Sequence, residues 1–234
     1  MQNGKLEGPV PLALTTGPSN TPSPGAKIKI CGLCREEDVS FANEALPDFV
    51  GFVFAPSRRQ VSYAQAARFR ERLKAPILPV GVFVNVACED IQRLYADGVI
   101  ALAQLHGTED AAYRDALKAC CPVPVIQAIR MEGPLLPERL ASLRAEYLLL
   151  DSGGGGTGRP FQWELLRSAP ILRPYFLAGG ITWDNLDAAL GYGPYGIDVS
   201  SGAETQGRKD RDKMIRLVQR VRDQDEKVRK ALGR

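Results

Sequence analysis

The sequence predicts a single-domain (β/α)8 barrel, and three observations predict it. A short apolar run, a polar turn and an amphipathic stretch recur in that order from residue 27 onward. The apolar runs number eight, the count that closes a parallel barrel. They are rich in Val, Ile, Leu and Phe, as strands covered on both faces must be. Alternation of strand and helix calls for a parallel sheet, open or closed. In either architecture ligands bind beyond the C-terminal ends of the strands, so those ends are the positions to inspect.

The chain of 234 residues begins with a stretch, Met1 to Ala26, rich in Gly, Pro, Ser, Thr and Asn. With little to bury, it is expected to be a disordered leader, and residues 27–234 the barrel. The expected strands are Lys27–Cys31, Phe49–Phe54, Leu78–Val84, Ala101–Leu105, Pro124–Ile129, Tyr147–Asp151, Tyr175–Ala178 and Gly196–Ser200. Ala101–Leu105 is the weakest, diluted by Ala and Gln. Apolar spacings near three and four predict helices over Tyr63–Leu73, Asp90–Asp97, Asp110–Cys120, Trp183–Leu190 and Lys209–Leu232. The last is mostly charged from Arg222 onward and reads there as a solvated extension.

The strand ends carry the chemistry. Strand one ends at Cys31 before Gly32. A thiolate at a barrel mouth can remove a proton; on position alone it is equally a small buried hydrophobe. Cys31 and Cys34 form a single C-x-x-C pair, which without further ligands is a weak metal or redox signal. The loop after strand two holds Arg58 and Arg59, and a guanidinium there can grip a carboxylate through two parallel hydrogen bonds. Strand four runs into His106, the one histidine of the chain. Strand six ends at Asp151, after Leu148-Leu149-Leu150, where apolar walls can raise a carboxyl pKa toward that of a general acid.

Glycines follow Asp151, with Gly153, Gly155 and Gly158 in formal G-x-G-x-x-G spacing. A dinucleotide fingerprint is rejected: Pro160 follows, no long helix opens, and the position about 20 residues on is Ala178 rather than an acid. Glycines let backbone approach a phosphate. Gly179 and Gly180 follow strand seven; Ser200, Ser201 and Gly202 follow strand eight. These are the positions where barrels build phosphate sites.

Composition excludes several classes. The net charge of +3, with no basic run interleaved with aromatics, argues against nucleic acid. No apolar run approaches the roughly 18 residues a membrane span needs, and no signal-peptide pattern opens the chain. Five cysteines, an odd number, fit reduced thiols in a cytoplasm.

The ordered set of blocks resembles the phosphoribosylanthranilate isomerase family. The blocks are Lys29-Ile30-Cys31-Gly32-Leu33, Val50-Gly51-Phe52-Val53-Phe54, Gly81-Val82-Phe83-Val84-Asn85, Gln104-Leu105-His106-Gly107, Leu150-Asp151, Gly156-Thr157-Gly158, Ala178-Gly179-Gly180, and Asp198-Val199-Ser200-Ser201-Gly202 followed by Gly207 and Lys209-Asp210. Together they cover the chain from Lys27 to about Val221. The resemblance implies a barrel with neither cofactor nor metal, a small-molecule phosphoribosylanthranilate substrate, a monomer or homodimer, and a place in tryptophan biosynthesis. It implies Cys31 as general base and Asp151 as general acid of an Amadori rearrangement. It further implies Arg59 for the anthranilate carboxylate, a supporting role for His106, and Gly156, Gly158, Gly179, Gly180, Ser200, Ser201 and Gly202 for the phosphoribosyl group. Cys34 and Ala203 depart from the family's usual threonine and valine without touching the implied acid or base.

Three rivals remain. A related histidine-pathway isomerase would place an aspartate where Cys31 stands. A non-catalytic phosphate-binding barrel would bind without turnover. A redox protein would use Cys31 and Cys34 as a reversible dithiol.

Overall fold

The computed structural model describes residues 25–131, 133, 140, 143, 145–151, 163, 166 and 171–231. Eight parallel strands close into a barrel in sequential order: β1 (Lys27–Cys31), β2 (Phe49–Val53), β3 (Leu78–Phe83), β4 (Leu102–Leu105), β5 (Val125–Arg130), β6 (Tyr147–Asp151), β7 (Tyr175–Leu177) and β8 (Gly196–Val199). Closure is made by β1 against β8, with Lys29 opposite Asp198. Each strand lies within a residue or so of its expected bounds, including the diluted β4.

Alternate side chains of a strand point to opposite faces, and the two faces differ. Outward, Ile28, Ile30, Val50 and Phe52 join the large core beneath the helices. Inward, Phe49, Tyr147 and Phe176 pack with Tyr195 just before β8. Their rings meet at centroid distances from 5.2 to 5.9 Å, Phe49 and Phe176 edge to face. This aromatic plug fills the N-terminal end of the barrel, so the open end is the C-terminal one.

Six α-helices lie among the described residues: α1 (Glu36–Ala45), α2 (Tyr63–Arg72), α3 (Cys88–Ala96), α4 (Ala111–Cys120), α5 (Leu186–Leu190) and α6 (Arg211–Ala231). Ser62 caps α2 reciprocally with Gln65, and the Asp110 carboxylate accepts from the Tyr113 N–H at the start of α4. Helix α1 escapes periodicity because its buried positions, Val39, Ala42 and Ala45, are small. Its start is fixed by the buried Asp38, which accepts from the N–H groups of Cys34 and Arg35.

Two expected helices change at their ends. Trp183–Asn185 form a turn ahead of α5. Lys209 belongs not to the last helix but to a two-stranded hairpin, β9 (Glu204–Thr205) and β10 (Arg208–Lys209). Gln206 and Gly207 turn that hairpin with φ of 49° and 77°, where the glycine has no Cβ to clash. The charged tail continues α6 without a break. Met214, Leu217, Val218 and Val221 bury its apolar stripe, and Arg222 donates to the Leu46 carbonyl.

Candidate active site

Cys31 ends β1 facing the mouth, and what surrounds it decides its chemistry. It is 8% exposed. Gly51 stands beside it on β2, in register; a Cβ at Gly51 would lie 2.7 Å from the sulfur. Glycine at that position is therefore what leaves room for the thiol. Burial pushes the Cys31 thiol pKa up and Asp198 adds to the effect, while Lys29 and Lys209 oppose it.

Beneath the thiol lies a buried ion pair. The Lys29 ammonium, fully buried, donates to Asp198 Oδ1 at 2.9 Å across the β1–β8 seam. Burial works against the lysine's charge, but Asp198 and the neighbouring thiol together hold its pKa above the ordinary value. Removing one partner of such a pair leaves an uncompensated buried charge and typically costs about 3–5 kcal/mol.

Above the thiol lies a second charged cluster centred on Glu204. Arg59 grips this carboxylate with two bonds, Nε to Oε1 at 2.6 Å and Nη2 to Oε2 at 2.9 Å. Arg58 donates to Oε2 at 2.7 Å and Lys209 to Oε1 at 2.8 Å. The arginine pair is thus tied, within the chain itself, to the hairpin after β8. Arg59 crosses directly over Gly32, where a Cβ would meet its Cδ at 2.4 Å and where φ is +85°. Arg58 packs in the same way over Gly207.

Burial alone would raise the Glu204 carboxyl pKa, but Arg59 and Lys209 overcome it and hold the value down to about 2. A depressed folded-state pKa contributes stability that is fully present above the unfolded value near 4.5 and is lost as pH falls toward 2. Urea unfolding of the parent chain and of Glu204→Gln at pH 6 and pH 3 measures this directly. The parent is expected to lose more stability than the variant over that interval, and equal losses would remove the assignment.

Asp151 ends β6, across the mouth from Cys31. His106 follows β4 and sets its Nε2 at 3.4 Å from Asp151 Oδ2. Its Nδ1 lies 2.9 Å from the amide nitrogen of Gln104, which is buried on the inward face two residues earlier. With the amide as donor, Nδ1 accepts and the proton of a neutral ring would be on Nε2, the nitrogen nearer Asp151. The single histidine of the chain and the expected acid therefore stand side by side at the mouth, with Gln104 against the other ring nitrogen.

The remaining expected residues gather at β7 and β8. Gly179 and Gly180 follow β7 with φ of 87° and 67°. The Ser200 hydroxyl donates to the Cys31 carbonyl at 3.2 Å, and its own carbonyl accepts from Lys209 at 2.9 Å. Ser201–Ala203 form one 3-10 turn. A Cβ on Gly202 would lie 2.0 Å from the Ile181 carbonyl oxygen, so no other residue fits that contact between the two loops. Gly156 and Gly158, with the rest of the glycine loop after Asp151, lie outside the described residues.

Sequence reading alone assigned no role to Lys29, Asp198, Glu204, Lys209, Gln104 or Gly51. Lys29 had a visible signal: a charged residue between isoleucines in a strand covered on both faces needs a buried partner.

An eight-stranded barrel plugged at one end, with a thiol, a carboxylate and an imidazole at the other, is the plan of a (β/α)8-barrel enzyme. Residues 28–220 match the family model described as N-(5'-phosphoribosyl)anthranilate (PRA) isomerase. The N-(5'-phosphoribosyl)anthranilate isomerase of Endomicrobium trichonymphae is 44% identical over 201 residues, 84% of this chain and 98% of its own length. The solved phosphoribosyl anthranilate isomerase of Thermus thermophilus superposes with a TM-score of 0.75 at 35% identity, covering 85% of this chain and 99% of that one. Another, solved with reduced 1-(o-carboxyphenylamino)-1-deoxyribulose 5-phosphate, gives 0.71 at 30% identity, covering 85% and 99%. The chain belongs to the phosphoribosylanthranilate isomerase family.

Proposed function

We infer that the chain is the isomerase of tryptophan biosynthesis that converts N-(5-phospho-β-D-ribosyl)anthranilate to 1-(2-carboxyphenylamino)-1-deoxy-D-ribulose 5-phosphate. The observation that carries its mechanism is the placement of Cys31 and Asp151 at the inward ends of β1 and β6, on opposed sides of one mouth. An aldose-to-ketose rearrangement needs one group to give a proton and another to take one.

Asp151 protonates the ribose ring oxygen. The C1′–O bond breaks, and the anthranilate nitrogen lone pair forms the C1′=N bond of a protonated Schiff base. The Cys31 thiolate then removes the C2′ proton, and the electrons of that bond neutralise the nitrogen. The resulting enolamine tautomerises: C1′ gains a proton, the C2′ hydroxyl loses one, and the ketone stands at C2′. His106, with Nε2 at 3.4 Å from Asp151 Oδ2, orients the carboxyl group. Arg59 receives the anthranilate carboxylate beside Glu204. Gly156, Gly158, Gly179, Gly180, Ser200, Ser201 and Gly202 surround the phosphate with backbone N–H groups and hydroxyls.

Residues 1–26 are a leader outside this machinery. The Endomicrobium relative is matched over 98% of its own length by 84% of this chain, and β1 begins at Lys27. Deleting residues 1–26 is expected to leave the melting temperature and turnover nearly unchanged; a large fall in either would attach the leader to the barrel. Among the described residues no helix is long and apolar enough to cross a membrane. The five cysteines are unpaired, in keeping with a reducing compartment such as the cytoplasm.

The function is tested by supplying phosphoribosylanthranilate to the purified chain and following loss of its fluorescence. Conversion to the ribulose phosphate is the expected result. A folded protein that binds this substrate without converting it would leave only a binding barrel.

A further inference from the structure

A general base must hold a negative charge before it takes its proton, and the Cys31 sulfur must hold it with little water around. Water's part has to be played by fixed positive groups. The charged groups facing the thiol come from every side: Lys29 on its own strand, Asp198 on β8, Lys209 on β10 and Arg59 from the loop after β2. Lys209 and Arg59 are both bonded to Glu204. Lys29, Lys209 and Arg59 thus set three positive charges against Asp198 and Glu204, which leaves one over.

Lys29 differs from the other two cations. It sits two residues before Cys31, so both side chains share the inward face of one strand. It has no exposure to solvent. Asp198, its neighbour in register, accepts a hydrogen bond from its ammonium at 2.9 Å. An ammonium carries three donors, and Lys29 and Cys31, two positions apart on one face of β1, are close enough for each to favour the charged form of the other. Asp198 therefore fixes where the ammonium sits and occupies one of its three donors, which leaves its positive charge standing beside the sulfur.

We propose that Lys29, held by Asp198, is the positioning residue that stabilises the Cys31 thiolate, acting from inside the barrel on the base at its mouth. The proposal rests on Cys31 being the base. It gives the buried pair a function that a purely structural salt bridge lacks, and the two are separable. A structural pair can be replaced by a neutral pair of similar shape with little loss. A counter-charge cannot.

The test is the pH dependence of Cys31 alkylation by iodoacetamide, read at that residue by peptide mass spectrometry, alongside the acidic limb of kcat/KM. In Lys29→Met/Asp198→Asn the alkylation midpoint is expected to rise by about one pH unit or more, roughly a tenfold loss of thiolate at neutral pH. The kcat/KM limb should move with it. Lys29→Arg should restore part of the shift. Asp198→Asn alone keeps the lysine and removes the opposing carboxylate, so its midpoint should fall. A folded double variant with the parent's midpoint overturns the proposal. Should the double variant not fold, an unmoved midpoint in Asp198→Asn overturns it equally. Failure of the base assignment is seen elsewhere, as normal turnover by Cys31→Ser, and leaves the alkylation midpoints to report on Lys29 by themselves.

Discussion

Cys31→Ser is expected to lower kcat by roughly 100- to 10,000-fold, the usual contribution of a positioned base, with the affinity for reduced 1-(o-carboxyphenylamino)-1-deoxyribulose 5-phosphate little changed. Serine replaces one atom and fits the space left by Gly51, so folding should survive. What is lost is acidity: a hydroxyl does not ionise near neutral pH without a base beside it, and Asp198, the carboxylate facing Cys31, is engaged by Lys29. A loss confined to kcat marks a group that acts on the transition state and not on binding. Steady-state kinetics with calorimetric titration of the analogue separate the two. Turnover at the parent's rate would keep the family membership and remove the thiol from the mechanism.

Asp151→Asn carries the second large effect. The amide keeps the shape of the carboxyl group and can keep its place beside His106. It has no acidic proton for the ribose ring oxygen. Ring opening is the first chemical step, so kcat should fall by roughly 100- to 10,000-fold while the analogue binds nearly as before. Near-normal turnover would sink the assignment of Asp151 as acid. The two variants also differ in kind. The asparagine variant is expected to keep the parent's pH dependence of Cys31 alkylation, because no charge next to the sulfur has changed.

Much of this molecule is legible in its sequence because its fold is written in local pattern. Eight apolar runs gave the strands almost to the residue, since a strand buried on both faces must be apolar along its whole length. The strand ends named Cys31, Asp151, His106 and Arg59, because in a parallel barrel side chains at those positions face the open end. Helix α1 was missed for a local reason: its buried face is Val39, Ala42 and Ala45, too small to make an apolar stripe, and its start depends on a buried aspartate reaching back to Cys34 and Arg35. The hairpin of β9 and β10 was missed because two-residue strands have no period to detect.

The sequence by itself determined the barrel, the family and the chemical groups at the mouth, all of which follow from short-range order along the chain. Only the tertiary structure decided which of those groups meet. Lys29 and Asp198 lie 169 positions apart and become neighbours because β8 closes on β1. Arg59 finds Glu204 across 145 positions, and His106 finds Asp151 because β4 and β6 end at one rim. Such partners are set by closure of the sheet, a property of all eight strands together, and no window of the sequence contains it.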